Sequence, residues 1–361
     1  MSTSSNPIES SGVRRASRGP TKVFKGHTAW VRCAAYFPDG RCIASASDDK
    51  TVIIWDVESS LQYGQPLQHH SAVMWIAISP DGTRIASGLE EGGFVIWDAL
   101  TREVVHEIKM SGVEKLAYSP DGRWIATALV NAVREVQLWD ADAGRPSREL
   151  LICNSNIRCM AFSPDGLRIA AGTADGSFQV LDIATGEVVL GPIKGHTEFV
   201  WSIVYSPDGC LLLTASRDSS IRFWDSKTGI QVGKPMFGHE YGVNCISIAA
   251  NGRRIASRGI DGTVRVWDLE TRLQVGGSFD ADGWVFSLAF SPDGRYIISG
   301  GYNGVFLWDT ESFTIQGPSS PPTTRIPLFC TYRAANSTAA PAEASPCRVA
   351  QRHVFNKLLA T

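Results

Sequence analysis

The chain has 361 residues, 43% hydrophobic and 19% charged, which is enough apolar material for a sizeable core. Its net charge of −2 gives no electrostatic footprint for nucleic acid or an anionic membrane, and no apolar run approaches a membrane span. Length alone suggests two domains or more, a prior that the internal pattern overrules.

Residues 1–19 are rich in Ser and Arg, hold little that could be buried, and are expected to form a mobile arm. Arg14-Arg15-Ala16-Ser17 has the form of a basophilic-kinase site, but a solvated basic arm accounts for it more simply. The start carries no apolar secretory segment, so the chain is expected in the cytoplasm or nucleus.

From residue 20 a unit recurs. A Trp-Asp pair, or one relic of it, begins at Trp55, Trp97, Trp139, Leu181, Trp224, Trp267 and Trp308, at intervals of 42, 42, 42, 43, 43 and 41 residues. The unit is clearest at its fifth occurrence. Residues 199–205 are a β-branched and aromatic run, hence a strand. Ser206-Pro207-Asp208-Gly209 is a turn, because Pro presets φ and Gly permits a positive one. Residues 210–216 and 220–225 are further strands joined by a tight turn, and residues 230–237, interrupted by Pro235, are expected to be an outer edge strand. The turn recurs at Asp39, Asp81, Asp121, Asp165 and Asp293, with Asn251-Gly252 standing in at the sixth unit.

Over residues 20–317 the chain therefore resembles the WD-repeat β-propeller family, the more so because Gly26-His27, Gly195-His196 and Gly238-His239 precede three of the units. The resemblance implies an all-β, seven-bladed propeller of four-stranded antiparallel blades, monomeric, with a terminal strand closing the ring. Two segments compete for that role. Residues 21–25 align with the later half of an outer strand and residues 313–316 with the earlier half. The N-terminal segment is expected to complete blade 7. Beyond the ring, residues 318–361 collapse into Pro, Ser, Thr and Ala and are expected to be a disordered tail, with a short apolar stretch at 354–359.

Eight cysteines are scattered without a C-x-x-C pair or zinc-like Cys/His spacing, and read as buried, reduced thiols. No P-loop, dinucleotide fingerprint, H-E-x-x-H or nucleophile elbow is present, so no catalytic residue, cofactor or metal is assigned.

The family resemblance further implies a structural tetrad in each full blade. It matches at His27, Ser45, Asp49 and Trp55 in blade 1, at His196, Thr214, Asp218 and Trp224 in blade 5, and at His239, Ser257, Asp261 and Trp267 in blade 6. Blade 2 has His69, Ser87 and Trp97 but Glu91 for Asp. Blades 3, 4 and 7 depart, with Lys109, Cys153 and Ala281 at the His position, Val133 at the Asp position of blade 3, Leu181 for Trp in blade 4, and Asn303 near the Asp position of blade 7. A His–Ser–Asp grouping invites a hydrolase reading. Its repetition in three blades, each with a Trp N–H, favours a scaffold device.

The same resemblance places a partner-docking face at the start of each first strand and before each tight turn. The chief residues mapped there are Trp30, Arg32, Asp48, Met74, Glu90, Phe199, Trp201, Arg217, Trp284, Phe286 and Tyr302, with Glu114, Asn156, Arg158, Gly242, Asn244 and Ile260 at plainer positions of blades 3, 4 and 6. The large aromatics fall on the arc of blades 5, 6, 7 and 1, and Trp, Tyr and Arg are the residues most enriched at binding hot spots. The leading reading is a non-catalytic scaffold for a protein or peptide partner, with a ubiquitin-ligase substrate receptor or a sensor module as variants. A propeller enzyme with a site at the central funnel is the alternative, and nucleic acid is disfavoured by charge.

Overall fold

A computed structural model of the chain describes residues 19–129, 134–280, 285–302 and 304–311. The expected arm before residue 19, the segment 313–316, the tail 318–361 and the positions Val133, Ala281, Trp284 and Asn303 lie outside them.

The described residues form seven antiparallel sheets, six of four strands and one of three. The inner strand of each sheet packs on the inner strand of the next, and that of the seventh, Val285–Phe290, packs on that of the first, Val31–Tyr36. Seven sheets linked in this cyclic order make a closed seven-bladed propeller. The Ser-Pro-Asp-Gly turns build the hairpins locally. In blade 5, Gly209 at φ +71° donates its N–H to Ser206 O at 2.8 Å, and Ser206 Oγ donates to Asp208 at 2.5 Å. In blade 6, Asn251 Oδ1 accepts the Arg253 N–H at 3.0 Å and so replaces the missing carboxylate.

Each inner strand carries a β-bulge at its second residue, between Val31 and Cys33 in blade 1 and at the matching place in the other six. A bulge leaves one residue unpaired and re-aims its side chain. The residue after the bulge ties neighbouring blades together. Ser287 Oγ accepts from Ala34 N at 3.0 Å, Ser202 Oγ accepts from Ile246 N at 3.2 Å, and Cys159 Sγ donates to Val200 O at 3.4 Å. Burial pushes the Cys33 and Cys159 thiols up to about 12. All six described cysteines are free and four are buried, but Cys210 is exposed and Cys42 only half-buried.

The ring closes as expected at its N-terminal segment. Lys22–Phe24 pairs antiparallel with Gly304–Asp309, Phe24 opposite Val305, and Phe24 is buried with its ring 5.9 Å from Trp55 of blade 1. Lys22 Nζ donates across the seam to Val57 O and Glu58 O at 2.7 and 2.6 Å.

One expectation needs correction. Residues 230–237 do not form an outer strand in blade 5, which has three strands. They touch the third strand only through isolated bridges, Trp224 with Gln231 and Ile221 with Met236. Gly233, at φ +72°, turns the backbone out of the ladder, and Pro235 has no N–H to offer it. Gly64-Gln65-Pro66 breaks blade 1 in the same way, leaving only the two-residue strand Leu67–Gln68. The outer strands of blades 2, 3 and 4, Val104–Ile108, Arg145–Ile152 and Val188–Lys194, are longer.

The broken edges receive a different support. Arg272 of blade 6 donates to Val232 O of blade 5 at 2.7 Å and lies 4.3 Å over Phe223. Arg102 of blade 2 donates to Tyr63 O and Gln65 O of blade 1 at 2.5 and 3.0 Å. Both arginines have left-handed backbones, at φ +59° and +64°, where blades 3, 4 and 5 have Gly144, Gly186 and Gly229.

Candidate functional site

In blades 1, 5 and 6 the four tetrad residues form one hydrogen-bonded chain. In blade 5, Trp224 Nε1 donates to Thr214 Oγ1 at 2.8 Å, His196 Nε2 lies 2.7 Å from the same oxygen, and His196 Nδ1 lies 2.8 Å from Asp218. Blade 1 repeats it, with 2.7 Å from Trp55 to Ser45, 2.7 Å from Ser45 to His27 and 2.8 Å from His27 to Asp49. Blade 6 does so through Trp267, Ser257, His239 and Asp261, at 2.7, 2.7 and 3.0 Å. Burial lowers the His196 and His239 pKa values against the opposing pull of their aspartates, so both rings are neutral near pH 7. A neutral ring that donates Nδ1–H to Asp must accept at Nε2, which commits the hydroxyl proton. Burial alone would raise the Asp218 carboxyl, but hydrogen bonds from His196 and Ser220 carry it well below its usual range. The hydroxyls are fully buried and already bonded, so each tetrad braces the blade and offers no nucleophile to a substrate.

The other blades keep pieces of the device. Blade 2 retains Trp97, Ser87 and His69, and His69 Nδ1 turns to the carbonyl of Leu67 at 3.2 Å where the aspartate is missing. Burial, unopposed by a carboxylate, takes His69 down to about 4. Blade 3 retains Trp139 to Thr127 at 2.9 Å, and blade 7 retains Trp308 to Ser299 at 3.0 Å. Blade 4 substitutes a network in which Asp175 accepts from Thr173, Ser177 and Asn154.

On the face mapped for docking the structure gathers most of the aromatic arc. Trp30 and Tyr302 stack with centroids 4.6 Å apart at 58°, and Tyr302 is 58% exposed. Trp201 is only 6% exposed, because Trp30, Phe199 and Ile260 pack around it. Trp201 comes from blade 5 and Trp30 from blade 1, which are not ring neighbours, so the indole lies across the central mouth. Gly242 permits this: a Cβ there would stand 3.1 Å from the Trp201 ring and 2.8 Å from Arg217 Cα. Arg217 lies 5.8 Å over Phe199.

Not every mapped residue joins this cluster. Arg32 is buried and grips Asp48 with two bonds, at 2.7 and 2.6 Å. Met74 is buried on the inner strand of blade 2, and Glu90 is half-buried before its tight turn. Phe286 occupies the bulge of blade 7, its side chain outside the described set. Arg158, mapped to the same face from the plainer blade 4, has its guanidinium 5.3 Å from the Phe199 ring. It sits at the blade 4 bulge, the position equivalent to Arg32 in blade 1. Among the described residues no group of three or more His, Cys, Asp or Glu could hold a metal ion. A cavity of about 600 Å³ at the seam is lined by Lys22, Arg41, Asp56, Glu58 and Tyr296, a mixed set with no hydrogen-bonded nucleophile–base pair.

The family described as "WD domain, G-beta repeat" matches residues 18–56, 62–98, 144–182, 187–225, 231–268 and 274–309. The chain belongs to the WD-repeat family. Members of this family are generally non-catalytic scaffolds that bind protein partners. The six matches pass over most of blade 3, which has lost the tetrad His and Asp but remains a regular four-stranded WD blade. Among curated WD-repeat proteins, the chain is 46% identical over 41 residues to nuclear distribution protein PAC1 of Candida tropicalis, covering 11% of this chain. It is 37% identical over 171 residues to WD repeat and SOCS box-containing protein 1 of Danio rerio, covering 43%. It is 28% identical over 188 residues to the guanine nucleotide-binding protein subunit beta of Solanum tuberosum, covering 50%. The chain spans 8%, 40% and 38% of the length of these three relatives.

Proposed function

We propose that this WD-repeat chain is a non-catalytic scaffold that recruits a protein or peptide on the face bearing Trp30, Phe199, Trp201, Arg217 and Tyr302. The observation that carries the reading is the continuity of this cluster. Tyr302 is exposed and stacked on Trp30, which packs on Trp201, which packs on Phe199. A rigid aromatic surface gains contact area on binding while ordering few rotamers. The relatives support docking in general and select no one partner, since their names span a nuclear distribution protein and a guanine nucleotide-binding protein.

Affinity purification of the full chain, set against the Trp30→Ala/Tyr302→Ala variant, tests the reading. Specific co-purifying proteins should fall at least tenfold while the melting temperature stays within a few degrees of wild type. Retention of every partner by the folded variant would overturn it.

A further inference from the structure

The cations of the docking face are unevenly committed. Arg32 is neutralised by a two-bond grip on Asp48. Arg158, by contrast, is 8% exposed, makes no ion pair among the described residues, and has a buried Nε with no hydrogen-bond partner. A buried guanidinium N–H without an acceptor is unfavourable, so it is a feature that needs a reason. The Arg158 guanidinium leans from blade 4 onto Phe199 of blade 5, and Arg217 approaches the same ring from the blade 5 tight turn. Two guanidinium groups within 6 Å of one aromatic ring form a two-armed cationic seat with an apolar floor.

We infer that the seat formed by Arg158, Phe199 and Arg217 takes an aspartate or glutamate side chain of a peptide partner. This rests on the docking-face reading above and names the chemistry of its partner. The carboxylate accepts from the outer N–H groups of the Arg158 and Arg217 guanidiniums, the groups through which arginine binds carboxylates best. Its neighbouring apolar residue lies against Phe199 and the packed Trp201 and Trp30 rings. The partner segment is therefore acidic and apolar together, and not basic.

A phage-displayed library of random 12-residue peptides, selected on the immobilised full chain, tests the inference. Enriched peptides should carry Asp or Glu beside an aromatic or aliphatic residue. Replacing that acid by its amide should weaken binding, read by fluorescence anisotropy, by ~10- to 100-fold. Arg158→Gln should weaken the acidic peptide equally and leave the amide peptide unchanged. Arg217→Gln, at the more exposed arm, gives a second reading if Arg158→Gln fails to fold. Peptides without acidic residues, or amide peptides that bind as tightly as acidic ones, would overturn the acidic seat and leave the docking face standing. Binding that survives Trp30→Ala/Tyr302→Ala would sink the docking face itself. A library that enriches nothing overturns both.

Discussion

His69 shows how much one missing carboxylate changes. In blades 5 and 6 an aspartate opposes the desolvation of the buried imidazole, whereas in blade 2 the Nδ1 side of the ring meets the Leu67 carbonyl in place of a carboxylate. An unfolded-state histidine protonates near 6.5, but the folded blade resists the proton until about 4. The unfolded chain thus binds more protons throughout that window. The stability contributed by neutral His69 is full above pH 6.5 and falls as the pH drops toward 4, by up to roughly 3 kcal/mol. His69→Gln should lower stability at pH 7 through loss of the Ser87 bond, yet flatten the decline between pH 6.5 and 4 in urea titrations. An unaltered slope would show that His69 already takes its proton in the folded state.

Among the elements, the arginine staples replace what the broken outer strands cannot supply. Arg272 occupies a left-handed backbone position, which costs an L-residue ~1–2 kcal/mol, and offsets that cost with a charged hydrogen bond to Val232 O. Arg272→Ala keeps the backbone cost and loses the bond. Arg272→Gly loses both. The glycine variant should therefore be the more stable of the two by about 0.5–1 kcal/mol in chemical denaturation, with both below wild type. A glycine variant less stable than the alanine one would refute the strain. These staples were not legible in the sequence, because Arg272 and Val232 are 40 residues apart and no local pattern announces them. The hairpins were legible, since Ser-Pro-Asp-Gly specifies its turn through its own hydrogen bonds. The outer strand of blade 5 was misread because alternating apolar residues at 230–237 outweighed the Gly233 and Pro235 breaks. On the docking face the aromatic arc could be mapped, but the burial of Trp201 could not. It depends on the absence of a side chain at Gly242, on the next blade.

For the whole molecule, seven open sheets become one closed body at a single place. The closing strand, Lys22–Phe24, contributes a three-residue ladder, the buried Phe24 ring and the Lys22 link to the blade 1 turn. Phe24→Ala should cost about 3 kcal/mol. Deleting residues 1–25 should cost more and lower the melting temperature by on the order of 10 °C. A deletion that melts with the full-length chain would show that another segment closes the ring.

The seam also sets a clock. Thr21 bonds to Asp309 across 288 residues, so a strand made ahead of blade 1 is bound only once blade 7 has been made. At ~5–20 residues per second, that strand waits roughly 15 to 60 s for its partner. Until then Phe24 and the Trp55 side of blade 1 lack their final covering. Aggregation and chaperone capture compete with folding most strongly in that interval, when the nascent chain is a row of six finished blades with both edges open.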